Sequence, residues 1–358
     1  MGEGRATGLR KDGFYGGPAG SGAGKVSVII PTYNRAPYLS EAIVSVLGQK
    51  YGDVEIIVVD DGSTDNTREC LQRYIDEGRI TYLHQENSGR PAVARNLGLR
   101  HASGEYVCFL DSDDILMEES IVKGVEILGR HDNIAMVCSD WLYFRKHFTE
   151  NQELEPSWIR STGYLDRLPK EMIRDRGGDF VVFERDFMYE LFNSNFICTS
   201  NVITRKELLD RTGYFDESLK IGEDYDLWLR LLETKDLAYI MVPLVFRRRH
   251  DGSITRHLAQ NLIEDAKVIE KFMGKKRVMS PATRRRLYRR LEAFYFYTGY
   301  FFMDERNLPE SRKRFGKAIR YNPASYRNYR YFTISLLPAS AILFARKLKR
   351  LMRGARRR

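Results

Sequence analysis

The sequence predicts an α/β fold, a mostly parallel sheet flanked by helices, with a helical appendage at its C-terminal end. Three observations point there. Short apolar, β-branched runs alternate with stretches of helical spacing over residues 26–110. Three of those runs end in polar, mostly acid-bearing sequences. After about residue 260 the texture turns helical and strongly basic.

Val26 to Ile30 reads as a buried strand ending at Pro31, and a helix over Ser40 to Leu47 puts Leu39, Ile43, Val46 and Leu47 on one face. Glu55 to Val59 is a second strand, Thr64 to Ile75 a helix with Asp65 near its start, and Ile80 to His84 a third strand. Pro91 to Ala102 is a helix closed by Gly104, and Tyr106 to Leu110 a fourth strand. Met136 to Trp141 and Asn195 to Ile203 read as further strands, with an irregular stretch over 145–195 between them. Asp224 to Leu232 is a helix and Leu237 to Val245 a late strand, followed by Arg247-Arg248-Arg249-His250. In a parallel sheet, ligands bind beyond the carboxyl ends of the strands. Residues 31–35, 60–63 and 111–114 are therefore expected to converge on one crevice.

A chain of 358 residues with 43% hydrophobic side chains can bury a substantial core, which excludes general disorder. Cys70, Cys108, Cys138 and Cys198 stand far apart, so neither a zinc ribbon nor a disulfide framework is readable; reduced thiols and a cytoplasmic location fit. Residues 1–24 are Gly-rich, lack the apolar run of a signal peptide, and are expected to be a disordered leader. A P-loop over 19–26 fails, with Ala19 in place of its first glycine and Val26 in place of its Ser or Thr.

The net charge of +10 is unevenly spread: residues 1–273 carry 34 basic and 44 acidic side chains, residues 274–358 carry 24 and 4. Gly299, Ser311, Phe315, Ala318 and Pro323 in the region 259–330 fit one tetratricopeptide-like helix pair. In the tail, 331–358, an apolar stretch broken by Pro338 precedes eight basic residues between Arg346 and Arg358. It is too short to span a bilayer and suits a helix on an anionic membrane surface, or a packed helix with a solvated end. No recognisable nucleic-acid module accompanies the charge.

Asp111-Ser112-Asp113-Asp114 follows a buried strand; such carboxylates either hold a divalent cation or cap a helix beginning near Met117. Asp60-Asp61-Gly62-Ser63 is a turn and N-cap, in which Asp61 is left over as a group able to accept from a nucleobase N–H. Glu223 and Asp224 open a helix, where the dipole favours acids and where a general base for an acceptor hydroxyl could stand. His250 could complete a metal site, with Arg248 and Arg249 suited to a diphosphate.

In this order, Val28-Ile29-Ile30-Pro31-Thr32-Tyr33-Asn34-Arg35, Val58-Val59-Asp60-Asp61-Gly62-Ser63-Thr64-Asp65, Ala94-Arg95-Asn96-Leu97-Gly98, Asp111-Ser112-Asp113-Asp114 and Gly222-Glu223-Asp224-Tyr225-Asp226-Leu227-Trp228 resemble family 2 glycosyltransferases over roughly residues 26–255. The resemblance implies the GT-A nucleotide-diphospho-sugar transferase fold over 25–258, a Rossmann-like mixed, mostly parallel sheet, and an inverting transfer from a nucleotide sugar, UDP-linked, to an acceptor hydroxyl. It implies a donor site at Pro31, Thr32, Tyr33, Arg35, Asp60, Asp61, Arg95, Asp111 and Ser112. It implies Asp113 and His250 as ligands of Mg2+ or Mn2+, Asp224 as general base, and Glu223 as a residue orienting the acceptor. A hexosyl or N-acetylhexosaminyl transferase, peripheral on the inner face of the cell membrane and serving bacterial surface polysaccharide or glycolipid synthesis, is the expectation. Its partners would be the nucleotide sugar, a saccharide or lipid-linked acceptor and an anionic membrane, with no nucleic acid. The alternative is an inactive scaffold of the same fold that binds membrane or a partner through the basic tail.

Overall fold

The computed structural model describes residues 24–145, 147–149, 152–168, 173–184, 188–192, 195–250, 258–275, 279–338 and 340–341. The expected leader, Gly24 apart, and most of the expected tail lie outside the described residues.

The chain begins β1 (Val26–Thr32), α1 (Ala36–Leu47), β2 (Val54–Asp60), α2 (Thr67–Asp76), β3 (Thr81–His84), α3 (Pro91–His101), β4 (Tyr106–Phe109). Val26, Val28, Ile29 and Ile30 are all wholly buried, because β1 is covered on both faces and lies parallel between β2 and β4. Then follow β5 (Ile115–Leu116), α4 (Ser120–Arg130), β6 (Ile134–Arg145), β7 (Glu155–Pro156), α5 (Trp158–Thr162), β8 (Ile173–Gly177), β9 (Phe180–Phe183) and α6 (Met188–Leu191). β10 (Ile203–Arg205), α7 (Lys206–Thr212), α8 (Glu223–Leu232) and β11 (Asp236–Arg249) complete the sheet region. The strand order is β3-β2-β1-β4-β10-β6-β11-β9-β8. β10 runs antiparallel to both β4 and β6, joining the parallel β1–β4 half to the parallel β6–β11 pair.

Four expectations are corrected. Residues 195–202 are not strand: only Ile203–Arg205 pairs, because the chain turns at Thr199–Asn201, where the Asn201 and Val202 N–H groups bond back to the Thr199 carbonyl at 2.8 and 3.1 Å. No helix begins near Met117 under an Asp114 cap; β5 intervenes, pairs with β11, and α4 starts at Ser120. Helix α1 starts at Ala36 rather than Ser40, with Pro37 in its first turn, where a missing N–H costs nothing. Helix α2 starts at Thr67 rather than Thr64, because Asn34 Oδ1 accepts the Thr64 and Asp65 N–H groups at 2.7 and 3.2 Å and holds that segment as a turn.

The appendage is α9 (Leu258–Gly274), α10 (Pro281–Asp304), α11 (Leu308–Tyr321) and α12 (Tyr326–Ser335). A Cβ on Gly299 would stand 2.9 Å from the Phe315 ring, so this glycine lets α10 and α11 close on each other. Ser311 Oγ donates to the Gly299 carbonyl at 2.8 Å, and Phe315 and Ala318 are wholly buried. Helix α9 ties the appendage to the sheet region: Lys271 bridges Asp216 and Asp226, each at 2.6 Å.

Candidate active site

The ends of β1 and β2 lie side by side, with Thr32 in register with Asp60 and the Asp61 N–H bonded to the Thr32 carbonyl at 2.9 Å. Asp60 is buried and spent on structure: Oδ1 accepts the Ser63 N–H at 2.8 Å and Oδ2 accepts the Tyr82 hydroxyl at 2.6 Å. Asp61, also buried, accepts from Gln85 Nε2 at 2.5 Å and from the Ser88 N–H at 3.0 Å. Gly62 has φ +79°, and a Cβ there would meet the Asn87 backbone nitrogen at 2.6 Å, so the turn excludes other residues twice over. Pro31 sits half-buried in β1, Tyr33 stands 44% exposed at the rim, and the Thr32 hydroxyl is buried with no hydrogen-bond partner among the described residues.

The acid cluster after β4 divides its work. Asp113 Oδ2 meets His250 Nε2 at 2.7 Å, with Arg35 Nε at 3.7 Å. Burial opposes its charge, but the His250 hydrogen bond and the nearby cations hold its carboxyl below the ordinary range. Asp114 turns inward, accepting from Ser200 Oγ at 2.6 Å and the Arg248 N–H at 2.9 Å. Burial, then the neighbouring Asp113, pushes it up to about 7. Ser112 is buried beside it.

Arg95 on α3 is the bridge. It is 5% exposed and donates to Asp111 Oδ1 at 2.7 Å and to Glu223 Oε1 at 2.6 Å, with Phe215 under its guanidinium. Burial works against its charge, yet Asp111 and Glu223 raise its pKa above the ordinary arginine value. Glu223 is pushed up to about 7 by burial first and the adjacent Asp224 second, against the pull of Arg95. Asp224 Oδ2 accepts the Thr199 hydroxyl at 2.8 Å and Oδ1 the Tyr225 N–H at 2.6 Å, which orients it at the start of α8.

The structure thus gathers residues 31–35, 60–61, 95, 111–114, 223–224 and 250 at the carboxyl ends of β1, β2 and β4 and the start of α8. It commits Arg248 and Arg249 to neighbouring side chains, with Arg248 Nε also donating to the Asp113 carbonyl at 2.8 Å. Arg248 is buried between Tyr38 and Phe144 and pairs with Glu41 at 2.9 Å; Arg249 lies over Tyr143 and pairs with Glu155. Arg248 thereby braces the Asp113 loop, and Arg249, with 42% of its side chain exposed, stays at the surface. Arg247 instead stacks 5.4 Å from the Trp141 ring, with Asp114 and Asp111 in its field. Sequence reasoning missed Asn34, Thr199 and Ser200, whose side chains tie the loops together. Asn34 carries a signal in hindsight: its φ of 51° is the left-handed region that Asn tolerates.

Among the described residues no group of three or more His, Cys, Asp or Glu side chains converges as a metal site. Asp113 and His250 nevertheless reach one point. A carboxylate oxygen and an imidazole nitrogen are a donor pair that Mn2+ accepts more readily than the harder, oxygen-seeking Mg2+, with substrate phosphate oxygens and water to fill the other positions. The residues fit a cation held jointly with a diphosphate.

Residues 27–192 match the family described as Glycosyl transferase family 2. The chain is 32% identical over 240 residues, 67% of its length and 68% of the relative's, to an uncharacterized glycosyltransferase of Rickettsia typhi. It is 30% identical over 235 residues, 64% of this chain and 73% of the other, to the glycosyltransferase GlyG of Streptococcus pneumoniae serotype 4. Among solved structures it is similar to S. aureus TarS 1–349 in complex with UDP-GlcNAc, with TM-score 0.60, 20% identity and coverage of 83% and 81%. It is also similar to the mannosyltransferase PcManGT of Pyrobaculum calidifontis in complex with GDP-Man and Mn2+, with TM-score 0.53, 19% identity and coverage of 95% and 84%. The shared architecture is the GT-A fold.

Proposed function

The chain belongs to glycosyl transferase family 2, and on that premise we propose that it moves a hexosyl or N-acetylhexosaminyl group from a UDP-sugar to an acceptor hydroxyl with inversion. The observation that supports this best is the Arg95 bridge, which couples Asp111 on the donor side to Glu223, next to Asp224, on the acceptor side. Asp61, with Pro31, Thr32 and Tyr33, takes the base and ribose, and Asp60 holds the turn that presents Asp61. Asp111, Ser112 and Arg35 face the diphosphate and sugar.

Asp224 Oδ atoms, aimed by Thr199 and the Tyr225 N–H, remove the proton from the acceptor hydroxyl as its oxygen attacks the anomeric carbon opposite the departing diphosphate. Glu223 hydrogen-bonds a neighbouring acceptor hydroxyl, and Arg95 keeps Glu223 and Asp111 in place. Asp113 and His250 would hold the divalent cation, which when bound supplies Lewis-acid neutralisation of the diphosphate. TarS and PcManGT have solved structures in complex with UDP-GlcNAc and with GDP-Man and Mn2+ respectively, which supports a nucleotide-sugar donor and a cation here.

The setting we infer is the inner face of a bacterial membrane, with a surface polysaccharide or glycolipid as acceptor. No helix among the described residues is long and apolar enough to cross a membrane. Of the eleven large apolar side chains exposed among them, eight lie between Tyr288 and Leu337, which supports a surface contact made by the appendage.

The test is nucleoside diphosphate release across a panel of nucleotide sugars with Mn2+, with and without saccharide acceptors. Acceptor-stimulated release from one UDP-sugar is expected; no release from any donor would sink the reading. Asp113→Asn should raise the Mn2+ concentration needed for half-maximal donor binding by about tenfold or more, and an unchanged requirement would remove Asp113 as ligand.

A further inference from the structure

Outside the sugar site, one feature of the appendage is left without a role. The first turns of α10 and the turn between α11 and α12 enclose a groove of about 610 Å³. Its walls include Arg284, Arg285, Arg289, Tyr288, Tyr321 and Asn322. We propose that this groove is a binding site for a phosphate-ester headgroup.

The charge comes first. From Met279 to Leu291 the sequence has five arginines and no acid. Two of the five are spoken for: Arg286 pairs with Glu190 at 2.5 Å, and Arg290 lies half-buried over Phe294 with Asp265 and Tyr225 in its field. The other three, Arg284, Arg285 and Arg289, are exposed and make no ion pair among the described residues. Arg285 and Arg289, at i and i+4, share one face of α10, and Arg284, about 100° round the helix from Arg285, lines the groove from the adjoining face. Three forks suit a group with three or more acceptor oxygens, which a phosphate offers and a carboxylate does not.

The rest of the groove fits the ester side of such a ligand. Tyr288 and Tyr321 meet edge to face at 5.5 Å, and Tyr321 spends its hydroxyl on Glu270 at 2.8 Å. Tyr321 therefore offers its ring rather than its hydroxyl. Glu270 itself is matched by Lys317 at 3.3 Å, so it does not cancel the arginines. Met279 and Pro281 add apolar surface, and Asn322 an amide able to donate or accept. A phosphate joined to a glyceryl or sugar moiety uses all of these, and a bare anion uses only the arginines. The volume is within the range of small-ligand sites, about 300–1,000 Å³. None of these residues belongs to the donor or acceptor site, so the inference stands apart from sugar transfer.

The experiment uses the full chain, with substitution of all three arginines by glutamine (R284Q/R285Q/R289Q) and a control that removes three exposed cations outside the groove (K220Q/K313Q/R330Q). Since the groove arginines are exposed and make no ion pair among the described residues, the variant should keep the parent's melting temperature and its rate of nucleoside diphosphate release. Sedimentation with phosphatidylcholine vesicles carrying phosphatidic acid, whose phosphomonoester has three terminal oxygens, should weaken by about a hundredfold in the groove variant, at roughly a factor of five per arginine. The control should lose far less. Calorimetry with soluble glycerol 3-phosphate separates the sources. Binding lost in the groove variant means that the phosphate ester suffices, while vesicle binding lost without any soluble binding assigns the site to a lipid headgroup. Equal losses in both variants, or no loss in the groove variant, overturn the site. So does a groove-dependent preference for single-stranded RNA over both probes.

Discussion

The donor crevice and the α10–α12 appendage treat charge in opposite ways. In the crevice, carboxylates and cations are turned onto one another: Asp60 and Asp61 are tied down by Tyr82, Ser63, Gln85 and Ser88, and Arg95 sits 5% exposed between two acids. In the appendage, the buried interior is aromatic and small, built on Phe296, Phe315, Ala318 and Gly299, while three arginines of α10 face outward. A network whose members satisfy each other is rigid and holds a few atoms in place. Exposed cations lose little on desolvation and suit a surface or a loosely held anion. The two regions should therefore fail differently when broken.

The largest effect is expected at the acceptor end. Asp224→Asn should lower turnover by about a thousandfold, within the range for loss of a general base, while Kd for the nucleotide sugar stays near that of the parent. Full turnover would remove Asp224 as the base.

Two substitutions then set the regions against each other at similar cost. Arg95→Met leaves the buried Glu223 and the half-buried Asp111 without their cation and should destabilise the fold by about 3–5 kcal/mol. Phe315→Ala empties the centre of the appendage and should cost about the same, 3–5 kcal/mol. Only Arg95→Met should also abolish turnover per folded molecule, measured at a temperature where both variants remain native. If Phe315→Ala proves equally inactive, the appendage is part of the catalytic unit and the contrast falls.

The smallest effect concerns their junction. Asp265 on α9 is pushed up to about 7 by burial first and Asp224 second. In the unfolded chain it would ionise near its ordinary value of 3.8. Between those values the native state binds the extra proton, so the stability this group contributes is present at low pH and lost as pH rises through about 7. Asp265→Asn removes the titration. Its melting temperature should exceed the parent's by a few degrees at pH 8 and converge with it near pH 4, on the order of 2–4 °C per kcal/mol. Parallel melting curves across that window would place Asp265 in solvent.

Much of this was legible before the structure. β1, β2 and β4 announce themselves as β-branched runs because a strand covered on both faces must be apolar at nearly every position. Asp61 and Asp113 stood out because acids at strand ends are costly unless used, and Asp224 because it sits in the last of the ordered motifs. The segment 195–203 misled for a related reason. Its apolar residues are buried, but the hydroxyls of Thr199 and Ser200 are claimed by Asp224 and Asp114, residues distant in sequence, and those bonds turn the chain before it can pair. Arg248 misled likewise: a basic run suggests phosphate, and only the fold reveals that Glu41, Tyr38 and Phe144 enclose it.

By itself, then, the sequence determined the strand–helix alternation, the family, the acids available to the site and the lopsided charge of the C-terminal region, since each rests on local pattern or composition. The tertiary structure decided which of those groups meet: that Arg95 joins Asp111 to Glu223, that His250 faces Asp113, that Asp114 turns inward, and that three arginines of α10 line a groove. Such pairings join residues up to 137 positions apart. Their energies depend on distance and burial, which no local pattern encodes.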